Sequence, residues 1–159
     1  MKEAFNAEQL DRVDRRILRA LQRDGRITNA ELAKAVNVSP ATCHRRTQRL
    51  FDAGYVRSVR AEIAPEAVSR GTLVMVGVVL DRSTPESFAS FEAAIKKLRV
   101  VLDCHLVAGD FDFFLKVRVR DIADFNRLHG EQLIALPGVR QTRTFFVMKE
   151  VVDNAPLDF

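Results

Sequence analysis

The sequence predicts an α+β chain in two parts: a three-helix (winged) helix-turn-helix domain over residues 1–63, and a ferredoxin-like βαββαβ domain over residues 64–159. Three observations carry this. Apolar residues recur at helical spacing from Leu10 to Gly54, broken by capping spellings at Thr28 and Ser39. Beyond Pro65 the pattern becomes strand-helix-strand-strand-helix-strand. Basic residues also crowd into the first part: residues 1–63 hold 13 Lys and Arg against 8 Asp and Glu, and residues 64–159 hold 12 against 13.

In the first part, Asp11 caps a helix with Asp14 at its third position, and Val13, Ile17, Leu18 and Leu21 form the apolar stripe. Gly25 is expected to close that helix with a left-handed residue. Thr28-Asn29-Ala30-Glu31 spells a capping box for a second helix, which buries Leu32, Ala33 and Val36 and ends on a left-handed Asn37. Ser39 caps a third helix with Pro40 at its first position, where a missing N–H does no harm. That helix runs to about Ala53, and Gly54 stops it. Tyr55–Ile63 alternates like a strand, and Pro65 marks the domain boundary.

In the second part, strands are expected at Thr72–Leu80, Val101–Ala108, Asp112–Val119 and Arg140–Val152. Helices are expected from Thr84-Pro85 to about Leu98 and from Asp121 to about Leu136, where Pro137-Gly138 ends the run. Val74, Val76 and Val78 point to one face of the first strand, and Leu73, Met75 and Val79 to the other. The last strand repeats this, with Phe145 and Val147 opposite Phe146 and Met148. Two helices cover only one sheet face, so the second needs a partner, most simply another copy of the chain.

Composition narrows the function. With 47% hydrophobic and 29% charged residues the chain is an ordinary globular protein, and its longest apolar run, Leu73–Leu80, is far too short to span a membrane. No targeting segment is evident in the first residues, so a cytoplasmic location is expected. Cys43 and Cys104 lie in no metal-ligand spacing and read as free thiols of a reducing compartment. Asp110 and Asp112 resemble a catalytic pair only superficially, because no nucleophile, metal cluster or phosphate loop accompanies them. His105 reads as a structural strand histidine, and His129 has no partner evident in sequence. No cofactor is expected.

The third helix is the informative one. Thr42, His44, Arg45, Arg46, Gln48 and Arg49 leave it few apolar positions, and these side-chain types read base edges or grip phosphates. With the cap residue Ser39, they form the candidate DNA-binding set, Arg45 and Arg49 foremost because they lie one turn apart. A solvated arginine-rich face is the alternative.

From about Leu10 to Val152 the chain resembles the leucine-responsive regulatory protein family of bacteria and archaea (Lrp/AsnC, feast/famine regulators). The matching segments are LDRVDRRILRALQRDGRITNAELAKAVNVSPATCHRRTQRL, DCHLVAGDFDFFLKVRV and LPGVRQTRTFFVMKEV, and they sit closer to the leucine-responsive than to the asparagine-responsive branch. The resemblance implies an N-terminal domain that binds double-stranded promoter DNA, a hinge strand, and a C-terminal amino-acid-sensing domain. It also implies dimers that assemble further, often to octamers, with effectors bound near the loop after the second strand. Paired recognition helices about 34 Å apart would then read a pseudo-palindrome. His44 and Thr47 depart from the leucine-responsive branch, which leaves the operator sequence open.

A site for an amino acid needs a carboxylate for the ammonium group and donors for the carboxylate. Gly109-Asp110-Phe111-Asp112 offers both at a tight turn, and by the resemblance Leu106, Val107, Ala108, Gly109, Asp110 and Asp112 are nominated. Thr142, Thr144, Val147 and Met148 are further candidates. The alternative is a turn whose aspartates only satisfy backbone N–H groups. Apolar neighbours favour a hydrophobic effector such as leucine. Two rival functions share parts of this pattern: a nucleoid-type architectural DNA binder with no effector response, and a small-molecule enzyme on a ferredoxin-like sheet.

Overall fold

The computed structural model describes residues 10–159; the start of the first domain and the expected lack of a targeting segment in residues 1–9 lie outside the described residues. The chain divides between Glu62 and Ile63 and again between Val151 and Val152, so residues 152–159 group with the N-terminal unit. The sequence had assigned those last residues to the C-terminal domain.

The N-terminal unit contains α1 (Arg12–Arg23), α2 (Asn29–Val36) and α3 (Pro40–Asp52). Asp11 and Asp14 form a reciprocal capping box on α1, and Thr28 and Glu31 form another on α2. Asn37 ends α2 at φ 59, and Gly54 follows α3 at φ 76. Ile17, Leu32, Ala33, Val36, Cys43 and Leu50 make the core of the unit. Full burial of side chains such as Ile17 and Leu50 contributes about 2 kcal/mol each.

Two expectations fail here. Gly25 is not left-handed; α1 ends on an extended Asp24. Gly25 is instead small because a Cβ there would lie 2.7 Å from Val59 Cγ1. Residues 55–63 form no strand, because no strand of the described chain pairs with them. A short 3₁₀ turn, Pro65–Val68, follows.

The C-terminal unit is a four-stranded antiparallel sheet in the order β2-β3-β1-β4, built from β1 (Thr72–Leu80), β2 (Val101–Leu106), β3 (Phe113–Val119) and β4 (Val139–Phe146). Two helices, α4 (Pro85–Ile95) and α5 (Ile122–Leu128), supply the layer over one face. Val74, Val76 and Val78 pack there with Phe113, Leu115 and Val117 of β3 and with Phe91 and Phe125 of the helices. Phe91 stacks on Phe113 at 4.4 Å between ring centroids.

Several elements are shorter than the sequence suggests. Helix α4 stops at Ile95, and its last expected residues form turns. After Leu128, α5 continues as a π turn, His129–Leu133. Strand β4 ends at Phe146, although Val147 N–H still donates to Leu73 C=O at 3.0 Å.

The other sheet face carries a cluster of its own. Phe111, Phe114 and Phe145 stand 5.8 to 6.2 Å apart by ring centroids. A Cβ on Gly77 would lie 2.6 Å from the Phe111 ring, so this ring rests against the bare backbone of β1. Phe145 keeps 46% of its surface exposed, and no other element of the unit covers it.

Candidate DNA interface and effector site

The three N-terminal helices place the residues of α3 in two classes. Cys43 and Leu50 are fully buried and fix which face looks inward. The opposite face therefore runs through Ala41, His44, Arg45 and Gln48, the i, i+3, i+4, i+7 stripe, and all four are exposed. His44 and Arg45 are engaged by no described group, whereas Gln48 Nε2 donates to Asp52 at 2.8 Å. At the start of the helix, Ser39 Oγ accepts from Thr42 N–H at 3.2 Å and donates to Thr42 Oγ1 at 2.9 Å. Asn29 Nδ2 donates to Pro40 C=O at 3.0 Å, tying the start of α2 to that of α3.

Arg46 and Arg49 face α1 instead. Arg46 Nη1 donates to Asp11 at 2.6 Å and to Asp14 at 3.0 Å, and Arg49 Nη2 donates to the other oxygen of Asp14. Both lie in the candidate DNA-binding set, and the structure engages both with carboxylates of α1 and its cap. A carboxylate only 1% exposed holds them, which leaves Arg49 half-exposed and Arg46 mostly covered. The hydrogen bonds that Arg46 donates to Asp11 and Asp14 raise its pKa, so its charge is fixed. Arg16 adds a further clamp, donating to Val36 C=O at 3.1 Å and to Ala35 C=O at the end of α2. The sequence reading gave Asp14 only as the capping partner of Asp11 and did not single out Arg16. The signal for Asp14 was present: it lies on the stripe of Ile17 and Leu21, where a carboxylate must find a cation.

In the C-terminal unit, residues 107–112 join β2 to β3. Val107 N–H donates to Asp112 C=O at 3.0 Å, and Asp112 N–H donates to Val78 C=O at 2.9 Å. Gly109 has φ +142, a backbone conformation other residues rarely adopt. Between the anchored ends, the N–H groups of residues 108–111 donate to no described group. Asp110 is exposed, and no described residue pairs with it.

Asp112 behaves differently from its nomination. Its carboxylate accepts from Leu80 N–H at 2.8 Å and from Ser83 Oγ at 3.0 Å. It clamps the turn to the end of β1, as the alternative reading of these aspartates has it. The remaining candidates do not gather at the turn within one chain. Thr142 and Thr144 pair with Val78 and Val76 and so share their helix-covered face, where Thr142 lies 2.8 Å from His129 Nε2. Val147 bonds to Leu73, five residues along β1 from Val78, which is about 17 Å at ~3.4 Å per residue. Met148 is fully exposed at that same far end. Arg143, which sequence reasoning did not single out, lies on the open face with its guanidinium 5.9 Å from the Phe111 ring centre.

Comparison with known proteins fits both halves of this arrangement. Residues 10–50 match the AsnC-type helix-turn-helix domain, and residues 73–157 match the Lrp/AsnC ligand binding domain. The chain is 46% identical over 144 residues to the leucine-responsive regulatory proteins of Salmonella typhimurium and Escherichia coli K12, covering 91% of this chain and 88% of each relative. The chain belongs to the Lrp/AsnC family.

Solved structures of Lrp/AsnC regulators share the fold. A Neisseria meningitidis transcriptional regulator in complex with L-methionine superposes with TM-score 0.89 at 34% identity, over 94% of this chain and 97% of the other. Escherichia coli AsnC superposes with TM-score 0.84 at 26% identity, over 92% and 97%. The protein is thus an Lrp/AsnC transcriptional regulator with an AsnC-type helix-turn-helix and a ligand-binding domain. Among the described residues, no helix is long and apolar enough to cross a membrane.

Proposed function

We propose that this regulator docks α3 in the major groove of promoter DNA and adjusts that binding to the level of an apolar amino acid. In this reading His44, Arg45 and Gln48 face the groove, while Ser39 and Thr42 meet the phosphate backbone at the helix start. Arg46 and Arg49 hold the helix at its working angle on α1. Orientation costs are met in advance by the buried carboxylate of Asp14, so little side-chain ordering remains for the DNA to supply.

The effector sits at the turn between β2 and β3. The unbonded N–H groups of residues 108–110 hold its carboxylate, the Asp110 carboxylate holds its ammonium group, and the half-exposed Leu106 and Val107 receive its side chain. The observation that carries this is the pairing, at one turn, of donors and a carboxylate that no described residue engages; backbone donors in such concavities are suited to anions. The names of the relatives support an apolar effector, since one group is called leucine-responsive and a structural relative was solved with L-methionine.

The bare aromatic face of the sheet supports self-association. Phe111, Phe114 and Phe145 would be covered by the same face of a second copy, and dimers joined through the effector turns would build larger assemblies up to octamers. Such a protein works in the cytoplasm, on the nucleoid, and carries out no chemical turnover.

Thermal unfolding against the twenty amino acids at millimolar concentration tests the effector site. A ligand specific for the folded state adds about 2.7 kcal/mol at one hundred times its Kd. One or a few apolar amino acids should raise the midpoint, and Asp110→Asn should remove that rise. If none raises it while DNA binding persists, the effector site is wrong and the architectural reading replaces it.

A further inference from the structure

Residues 154–159 do not trail away from the N-terminal unit; they lie along it. Asn154 takes φ 46, in the left-handed region, and a proline at 156 disfavours helical backbone at the residue before it. Leu157 is then read through its backbone: its N–H donates to Gln22 Oε1 at 2.9 Å, and Gln22 Nε2 donates to its C=O at 3.2 Å. One side-chain amide thus pairs with a backbone residue as a neighbouring β-strand would. Two residues on, Arg19 donates to Phe159 C=O, and its guanidinium carbon lies 5.6 Å from the centre of the Phe159 ring.

Asn154, Leu157 and Phe159 form part of the lining of an open cleft of about 740 Å³, together with Leu18, Leu21 and Val56. Arg15, Arg23, Arg57 and Arg60 add positive charge to its lining, and the segment brings Asp153 and Asp158. Leu157 keeps 76% of its surface exposed, so the backbone and the terminal ring of the segment carry the docking.

We propose that the surface of α1 at Arg19 and Gln22 is a docking site for an extended segment containing Leu-Asp-Phe, occupied by residues 154–159 of the chain itself. The consequence is a second tie on the DNA-binding unit. The chain passes between its two units at residues 62–63 and again at 151–152, and docking makes the second passage a strap instead of a loose end. A few exposed hydrogen bonds give a weak contact between separate molecules, but tethering supplies an effective concentration on the order of millimolar, enough to keep the segment docked. Truncation or a competing peptide releases the strap without touching α3.

The test uses a peptide of residues 153–159, acetylated and amidated so that its ends mimic chain, titrated into protein lacking those residues. Binding at sub-millimolar Kd is expected, at least about five-fold weaker to the full chain because its own segment occupies the site, and absent from the shortened protein carrying Gln22→Ala. No binding to the shortened protein, equal binding to the full chain, or binding undiminished by Gln22→Ala would each overturn the proposal. A second readout needs no truncation. In the full chain the Leu157 amide should exchange with solvent at least about five-fold more slowly than an open backbone amide, and Gln22→Ala should erase the difference. Open-chain exchange at Leu157 in the unaltered protein would also overturn it.

Discussion

Arg46 Nη1 lies 3.0 Å from Oδ1 of Asp14, a carboxylate with 1% of its side chain exposed. That contact joins the capped start of α1 to the middle of α3, and Arg49 completes it from one turn on. It also divides the basic face of α3: two arginines set the helix in place, and Arg45 remains for a ligand.

Asp14→Ala should therefore cost stability, not merely DNA affinity. Removing one partner of a buried pair costs about 3–5 kcal/mol; here about 2–3 kcal/mol is expected, because both arginines are part-exposed and regain water. Urea unfolding measures it. A change below about 0.5 kcal/mol, the usual effect at an exposed site, would show that Asp14 does not hold α3.

Arg45→Ala should do the reverse. Its side chain is exposed and engages no described group, so unfolding should shift by less than about 0.5 kcal/mol. DNA affinity should fall by about 1–3 kcal/mol if Arg45 reads a base, with loss of preference at one operator position. If it meets a phosphate, affinity falls evenly across sequences and the salt dependence drops by about one counterion. Fluorescence anisotropy on operator variants at several salt concentrations separates the two.

Stability should fall in acid. The Asp14 N–H and then Arg46 hold the Asp11 carboxyl below its ordinary value, the Thr28 hydroxyl and N–H do the same for Glu31, and the Arg120 N–H followed by Arg127 does so for Asp124. For a lowered carboxylate the contribution is fully present above the unfolded value, 3.8 for Asp and 4.5 for Glu, and is lost as pH falls through the lower folded value. The melting midpoint should hold steady from neutral pH to about 5 and drop below about 4. Asp11→Asn should shrink that drop, and an identical acid profile in the variant would remove Asp11 from the account.

Gly77→Ala should disturb the open sheet face. The new Cβ would meet the Phe111 ring at 2.6 Å, inside any tolerable contact, and the ring must leave its seat between β1 and Phe145. Overpacking of this kind costs about 1–3 kcal/mol. Because Phe111 also belongs to the proposed self-association face, sedimentation should show weaker assembly. An assembly state equal to that of the unaltered protein would place the interface elsewhere.

Much of this was legible in the residues. The caps at Asp11, Thr28 and Ser39, the left-handed Asn37 and the limits of β1 follow from local chemistry, which a window of a few residues contains. What failed depended on partners. Residues 55–63 and 147–152 alternate like strands, but alternation reports propensity and not pairing: no strand of the described chain pairs with the first, and in the second only Val147 N–H still reaches β1, at Leu73. The division between Arg45 and Arg46 needed the position of α1, which the helical stripe through Asp14 hints at but does not fix. Asp112 looked free at a turn until its reach to Leu80 and Ser83, about thirty residues earlier, was on view. The π turn that brings His129 to Thr142 leaves no local spelling at all.

The most direct measurement is the dissociation constant for promoter DNA, at fixed salt, as the stabilising amino acid is titrated in, for the unaltered protein and for Asp110→Asn. An effector that binds the states unequally must shift DNA affinity by the same factor that DNA shifts effector affinity, typically about 5–150-fold. The account predicts a change of that order in the unaltered protein and none in Asp110→Asn. A DNA affinity that stays constant while the amino acid saturates its site would contradict it.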